Sequence, residues 1–244
     1  IVPYLTFIIG LQIQSAIAIS IVSIIVTSLT GSINYVEKNF VNMDIATLLL
    51  PTTILGGIIG AFLTSRILDK TYIELFFGSL LLYLIYILLR GQNSEYPAKN
   101  ETVQGNHSFF DESTGKKIIY TPINRGKGSA VGIFTGIISG LLGVGGGAIN
   151  VPVMTKLMNM PLKVATATSV FMIGFTALGS AFIYFKSSYF MPEIAGLVII
   201  GIFIGSYAGR GLLGKIPVTI LKRIFCIVLF IISMSMFLRA GGIL

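Results

Sequence analysis

The chain has 244 residues, 54% of them apolar and only 11% charged, with a formal charge of +8 at neutral pH. Soluble domains are about a quarter charged, so this composition, with a mean hydropathy of +0.91, excludes a cytosolic enzyme and a nucleic-acid binder and specifies an integral membrane protein. The excess of Lys and Arg reads as helix-end markers on the cytoplasmic side, and the single cysteine, Cys226, excludes an intrachain disulfide.

After a short apolar stub at 1–11, apolar runs of bilayer-crossing length predict helices at 15–36, 43–66, 71–90, 129–149, 164–185, 193–214 and 219–238. The pattern is blocky rather than alternating, which argues against barrel strands. Residues 91–128 break it with a polar stretch that reads as an extramembrane loop, and Asn100 and Asn106 open glycosylation sequons within it. The chain therefore divides into a first transmembrane unit at 1–90, the loop at 91–128 and a second unit at 129–244.

The two units repeat each other. An offset of 149 lays residues 1–90 on 150–239 without a gap, with 21 of the 90 pairs identical. Val2-Pro3 falls on Val151-Pro152, Ala16 to Ser20 on Ala165 to Ser169, Thr27 on Thr176, and Gly56 and Gly60 on Gly205 and Gly209. This predicts an all-α bundle of two tandem repeats, a common plan for secondary transporters. The offset also leaves helix 129–149 without a mate, so a further Gly-rich helix is expected before Ile1. Short-loop charges put Arg66, Lys70, Lys156, Lys163, Arg210, Lys215, Lys222 and Arg223 in the cytoplasm and the 91–128 loop outside a plasma membrane. With four spans per unit the repeats run parallel. A re-entrant hairpin at 129–158 would invert them and split this cationic set.

Within the second unit, Gly132, Gly136 and Gly140 form a smooth face suited to close helix packing. So do Gly56 and Gly60, and Gly201, Gly205 and Gly209. Gly143, Gly145, Gly146 and Gly147 then crowd four glycines into five positions, enough to break a helix at mid-span depth. Irregular backbone survives there only where it lines a cavity, and the freed peptide N–H groups make an anion site without a charged side chain. Asn150 adds an amide. Hydroxyls follow at helical spacing, Ser20, Ser23 and Thr27 in one unit and Thr166, Ser169, Thr176 and Ser180 in the other, as an anion path or as local i−4 bonds. Arg210 reads as a side chain snorkelling to the surface. No acidic residue falls mid-span and the one histidine, His107, is in the loop. This argues against a metal site, an intramembrane protease and a proton relay through a buried carboxylate.

These residues carry a resemblance. Gly140-Leu-Leu-Gly-Val-Gly-Gly-Gly147, then Val151-Pro152, then Ala165 to Ser169, resemble the sulfite exporter TauE/SafE family, and Val2-Pro3 with Ala16 to Ser20 repeat the pattern in the first unit. The resemblance implies a permease for sulfur-containing anions such as sulfite, thiosulfate or organosulfonates. The expected site comprises Gly143, Gly145, Gly146, Gly147, Asn150, Pro152, Thr166, Ser169 and Thr176, faced by Pro3, Ser20 and Thr27. The expectation is alternating access, with a passive anion channel as the alternative. No enzymatic activity, cofactor, metal or nucleic-acid partner is expected. The partners are the anion and the lipid bilayer, with assembly into a homo-oligomer left open.

Overall fold

The computed structural model describes residues 1–90, 107–111, 116–187, 189–213 and 218–241. In chain order these form α1 (Val2–Phe7), α2 (Ile13–Glu37), α3 (Met43–Arg66), α4 (Lys70–Arg90), β1 (His107–Asp111), β2 (Lys116–Tyr120), α5 (Arg125–Leu142), α6 (Gly147–Pro152), α7 (Leu162–Phe185), α8 (Pro192–Leu213) and α9 (Val218–Ala240). The fold is all-α, and α2, α3 and α7 are each long and apolar enough to cross a membrane. The helix bounds follow the offset of 149: α2 maps onto 162–186, α3 onto 192–215 and α4 onto 219–239, within two residues of α7, α8 and α9.

The expected span at 129–149 is corrected. Helix α5 ends at Leu142, and α6 continues through a π-helical turn, Val153–Leu157, back to where α5 began. Ile123 N donates to Met158 O at 3.1 Å, and Asn124 Nδ2 donates to Leu157 O at 3.1 Å. The two limbs form a re-entrant hairpin with no net crossing. Pro152 lacks a backbone N–H, which removes one i→i−4 bond where the return limb changes pitch.

Helix directions follow from which residues meet. Along α3, Thr52, Gly56, Gly60 and Thr64 meet Gly132, Ile133, Ile137 and Leu141 of α5, both numbers rising, so the helices are parallel. Asn42, Thr53 and Gly57 meet Thr168, Thr176 and Ser180, so α7 runs the same way. Ile24 and Ile173 both border Gly145, while Gly31 meets Val170, so α2 opposes α7. Gly78 meets Ser233 and Phe237, and Glu74 lies in the field of Arg239, so α4 opposes α9. Equivalent helices of the two halves thus run in opposite senses, which corrects the parallel arrangement expected from sequence. The cationic set splits accordingly. Lys38, Arg125, Lys127, Lys156, Lys163 and Arg223 lie toward one end of the bundle, and Arg66, Lys70, Lys186 and Arg239 toward the other. The side chains of Arg210, Lys215 and Lys222 lie outside the described residues.

The closest packing is between α3 and α5. A Cβ on Gly136 would stand 2.2 Å from Thr53 O, on Gly140 2.1 Å from Gly57 O, and on Gly56 2.2 Å from Ile133 O. Each backbone occupies the space a side chain would need, as small faces permit. The corresponding face of α8 differs from expectation: Gly201 and Gly205 are exposed, and a Cβ added to either would meet nothing within 4 Å among the described residues. Part of the polar loop is also ordered, as an antiparallel β1–β2 hairpin pairing His107 with Tyr120 and Asp111 with Lys116. It seats on the end where α3 begins. Phe109, 4% exposed, enters a cluster with Ile45, Met154, Met158 and Met172. Asn42 Nδ2 donates to the Tyr120 hydroxyl at 2.8 Å, and His107 Nε2 lies 3.6 Å from Asp44.

Candidate functional site

The turn between α5 and α6 has a conformation only its glycines hold easily. Gly143, Gly145 and Gly146 have φ of +62°, +82° and +67°, the left-handed region in which a Cβ is strained. Gly143 N–H closes α5 onto Ser139 O at 2.9 Å, and Gly146 O accepts from Ile149 N and Asn150 N to start α6. Between these bonds the peptide N–H groups of Val144, Gly145, Gly146 and Gly147 make no backbone hydrogen bond among the described residues. Gly145 and Gly146 are nevertheless buried. Buried backbone donors are almost always paired, so the N–H groups of Gly145 and Gly146 stand out.

Side chains gather around it. Ser169, 1% exposed, carries an Oγ with no hydrogen-bond partner, 3.7 Å from where a Cβ on Gly147 would stand. Asn150, 6% exposed, places its Nδ2 3.7 Å from the corresponding point on Gly146. Thr166 shares the Ser169 side of α7 one turn earlier and is half-buried. From the first half, Ser20 Oγ donates to Gly143 O at 2.9 Å, across 123 residues of sequence. Ser20 therefore positions the turn rather than offering a free hydroxyl.

Other expected residues are placed elsewhere. Thr176 is buried but donates to Thr53 Oγ1 at 3.1 Å, in the α3–α7 contact. Thr27 is exposed and bonds back to Ser23 O and Ile24 O, the local pairing that Ser and Thr make in spanning helices. Pro3 opens α1, whose Thr6 hydroxyl bonds to Val2 O and Pro3 O. Pro152 closes α6 and is half-buried.

Several residues of the site escaped the sequence reading. Thr135 O and Ser139 Cβ form the floor under Gly146, at 3.2 and 3.4 Å from its Cβ position, and Ile173 packs on both Gly145 and Gly147. Tyr184 and Thr64 hydroxyls bond to Gly140 O and Leu141 O, fixing the last turn of α5. Thr135 and Ser139 are spaced i, i+4 on the helix entering the turn, a signal as strong as that of the helix leaving it. No acid lies mid-span among the described residues, but Glu74, five residues into α4, is 1% exposed.

Among the described residues no group of His, Cys, Asp and Glu could hold a metal ion. No solved structure matches the chain. Curated relatives do. The probable membrane transporter protein YunE of Bacillus subtilis is 27% identical over 220 residues, covering 90% of this chain and 79% of the relative. YdhB of the same organism, also described as a probable membrane transporter protein, is 24% identical over 222 residues, covering 91% and 84%. A probable membrane transporter protein of Xylella fastidiosa is 25% identical over 244 residues, covering 98% and 85%. The family model for the sulfite exporter TauE/SafE matches residues 1–236, running through both halves, the hairpin between them and the glycine turn, and the chain belongs to that family.

Proposed function

We propose that this protein is a secondary transporter that carries a small sulfur-containing anion, such as sulfite, thiosulfate or an organosulfonate, by alternating access. The membrane character and the transporter family are the frame. The observation that carries the reading is the run of N–H groups at 144–147 without a backbone hydrogen bond, buried at Gly145 and Gly146, beside the unpartnered Ser169 hydroxyl. A tetrahedral or pyramidal oxyanion offers several acceptors in one small volume and satisfies such a ring of donors at once. Asn150 adds side-chain N–H donors. No lysine or arginine is needed at this depth, so the anion binds through dipoles and can leave again. The duplication, with its halves in opposite senses, supports exchange of the site between the two faces of the membrane.

The same helix directions bear on orientation. Counted over short loops, the end with Lys38, Arg125, Lys127, Lys156, Lys163 and Arg223 is the more cationic. The positive-inside rule then makes it cytoplasmic. We accordingly place the β1–β2 hairpin in the cytoplasm. The outward placement expected from sequence rested on Arg66 and Lys70 sharing a face with Lys156, Lys163 and Arg223, and the helix directions separate them.

The test is counterflow in proteoliposomes of purified protein, with sulfite, thiosulfate, sulfate, sulfoacetate and taurine offered in turn. Saturable uptake of labelled anion, accelerated by unlabelled anion inside, is the expected result for at least one. Unsaturable flux without counterflow would make the protein a channel, and no flux of any of the five would remove the sulfur-anion assignment.

A further inference from the structure

Helix α5 brings the wrong pole to an anion. It runs for 18 residues and ends at Leu142, and the C-terminal end of a helix carries partial negative charge. Gly143 N–H bonds to Ser139 O, so the carbonyls from Gly140 to Gly143 have no partner within the helix. They come directly before the N–H groups of 144–147. An anion held by those N–H groups therefore has the negative end of α5 as its neighbour along the chain.

Three of those four carbonyls are taken by hydroxyls from three different helices. Tyr184 Oη of α7 donates to Gly140 O at 3.2 Å, Thr64 Oγ1 of α3 to Leu141 O at 3.1 Å, and Ser20 Oγ of α2 to Gly143 O at 2.9 Å. All three side chains are buried, at 1%, 1% and 3% exposure. Ser and Thr in spanning helices often bond back to their own helix, as Ser23, Thr27 and Thr30 do. Thr64 and Ser20 reach across the bundle instead. Each O–H sets the positive end of its dipole against a carbonyl oxygen and cancels part of the negative field there. The Ser20 bond also fixes a direction: in the trans peptide that joins Gly143 to Val144, the Val144 N–H points opposite to the carbonyl that Ser20 holds.

We propose that Tyr184, Thr64 and Ser20 are positioning residues that form a hydroxyl collar over the negative end of α5, so that the field at the glycine turn is that of its N–H groups. The role rests on the reading of the turn as the anion site and adds what sets its preference for negative charge. The three hydroxyls act through the carbonyls they hold and not by touching the anion.

Ligand charge separates this role from a structural one. Binding of methanesulfonate, a monoanion, and of sulfate and thiosulfate, both dianions, is measured on purified wild type, Tyr184→Phe and Thr64→Val. An unmasked carbonyl field weakens binding in proportion to ligand charge, so the fold-loss for a dianion is the square of that for the monoanion. At the strength of one helix-end charge interaction this is about 2- to 5-fold for methanesulfonate and about 4- to 25-fold for the dianions. Hydroxyls that only brace the turn would cost every ligand the same factor. Ser233→Ala is the control. Its hydroxyl makes the same kind of bond, to Gly78 O at 2.9 Å between α9 and α4, and its loss should leave the ratio of the affinities unchanged. The field is also read without a ligand: Val144→Cys, in a chain with Cys226→Ser, is cyanylated, and its nitrile stretch should shift when Tyr184→Phe is added. Equal fold-losses for the two charges, or an unmoved nitrile band, would overturn the collar and leave the anion site standing. Where wild type binds ligands of one charge only, or none, the nitrile band decides the collar and counterflow decides the site.

Discussion

Replacing Ser169 by Ala should move stability and binding in opposite directions. The Oγ is buried and has no hydrogen-bond partner among the described residues. An unsatisfied buried polar atom carries a penalty of about 1–3 kcal/mol, so Ser169→Ala should raise the stability of the empty protein, by about 1 kcal/mol at the low end of that range. Once an oxyanion sits at the turn, the same hydroxyl donates to a charged acceptor, a bond of about 1.5–3 kcal/mol. Its loss should weaken binding by about 10-fold to 150-fold. Ser20→Ala is the control, because its hydroxyl already bonds to Gly143 O at 2.9 Å. There the loss of a made bond should lower stability by about 1 kcal/mol. Thermal unfolding of the detergent-purified variants and equilibrium binding of the anion identified by counterflow give both quantities. If Ser169→Ala melts lower than wild type and binds the anion unchanged, the hydroxyl is structural and the turn is not the site.

Other expectations follow from the same contacts. Gly136→Ala and Gly140→Ala drive a Cβ to within 2.2 and 2.1 Å of α3 carbonyl oxygens; both should force the helices apart and lose several kcal/mol, about the range of overpacking, read as loss of folded yield and a lower melting temperature. Gly201→Ala and Gly205→Ala meet nothing within 4 Å among the described residues and should raise helix stability by up to about 1 kcal/mol in the same assay. Ser108→Cys, in a chain with Cys226→Ser, should resist an impermeant maleimide in intact cells and react in inverted vesicles; labelling of intact cells would put the hairpin outside. Burial, the largest influence, and the neighbouring Asp44 push the Tyr120 phenol above its ordinary value, although the Asn42 hydrogen bond pulls the other way. The neutral phenol is thus favoured in the folded state, and its contribution is intact below about pH 10 and lost as pH rises through the raised value. Tyr absorbance should show hairpin undocking in that alkaline window, and Tyr120→Phe should abolish the step.

The membrane class, the helix bounds and the glycine turn were legible because each depends on local properties. Apolar length sets a span, and four glycines in five positions set a break whatever packs around them. The direction of the halves was not legible, because it turns on whether the chain crosses or returns after Gly143. That choice is made by tertiary bonds such as Ile123 to Met158 and Asn124 to Leu157, which leave no periodicity. The hydroxyl stripes misled in part for a related reason. Ser20, Thr27, Thr176 and Ser169 look alike by spacing, yet the first bonds across the bundle, the second back along its own helix, the third to another hydroxyl and the fourth to nothing. Only Ser169 has capacity left for a ligand. The burial of Glu74 near the start of α4 was not legible, because it comes from packing against neighbouring helices and not from position along the span.

The β1–β2 hairpin belongs to the connection between the halves and so lies outside the repeat. A carrier assembled from two oppositely directed copies would have matched mouths, with equal half-saturation from either side of the membrane. Here Phe109 and Tyr120 add their contacts at one mouth alone. In the proposed transport cycle, opening that end breaks contacts that have no equivalent within the repeat. The electrochemical gradient of the anion still sets the direction of net flux. In the proposed carrier the kinetic constants measured from the two sides need not agree, because the hairpin makes the two ends unlike.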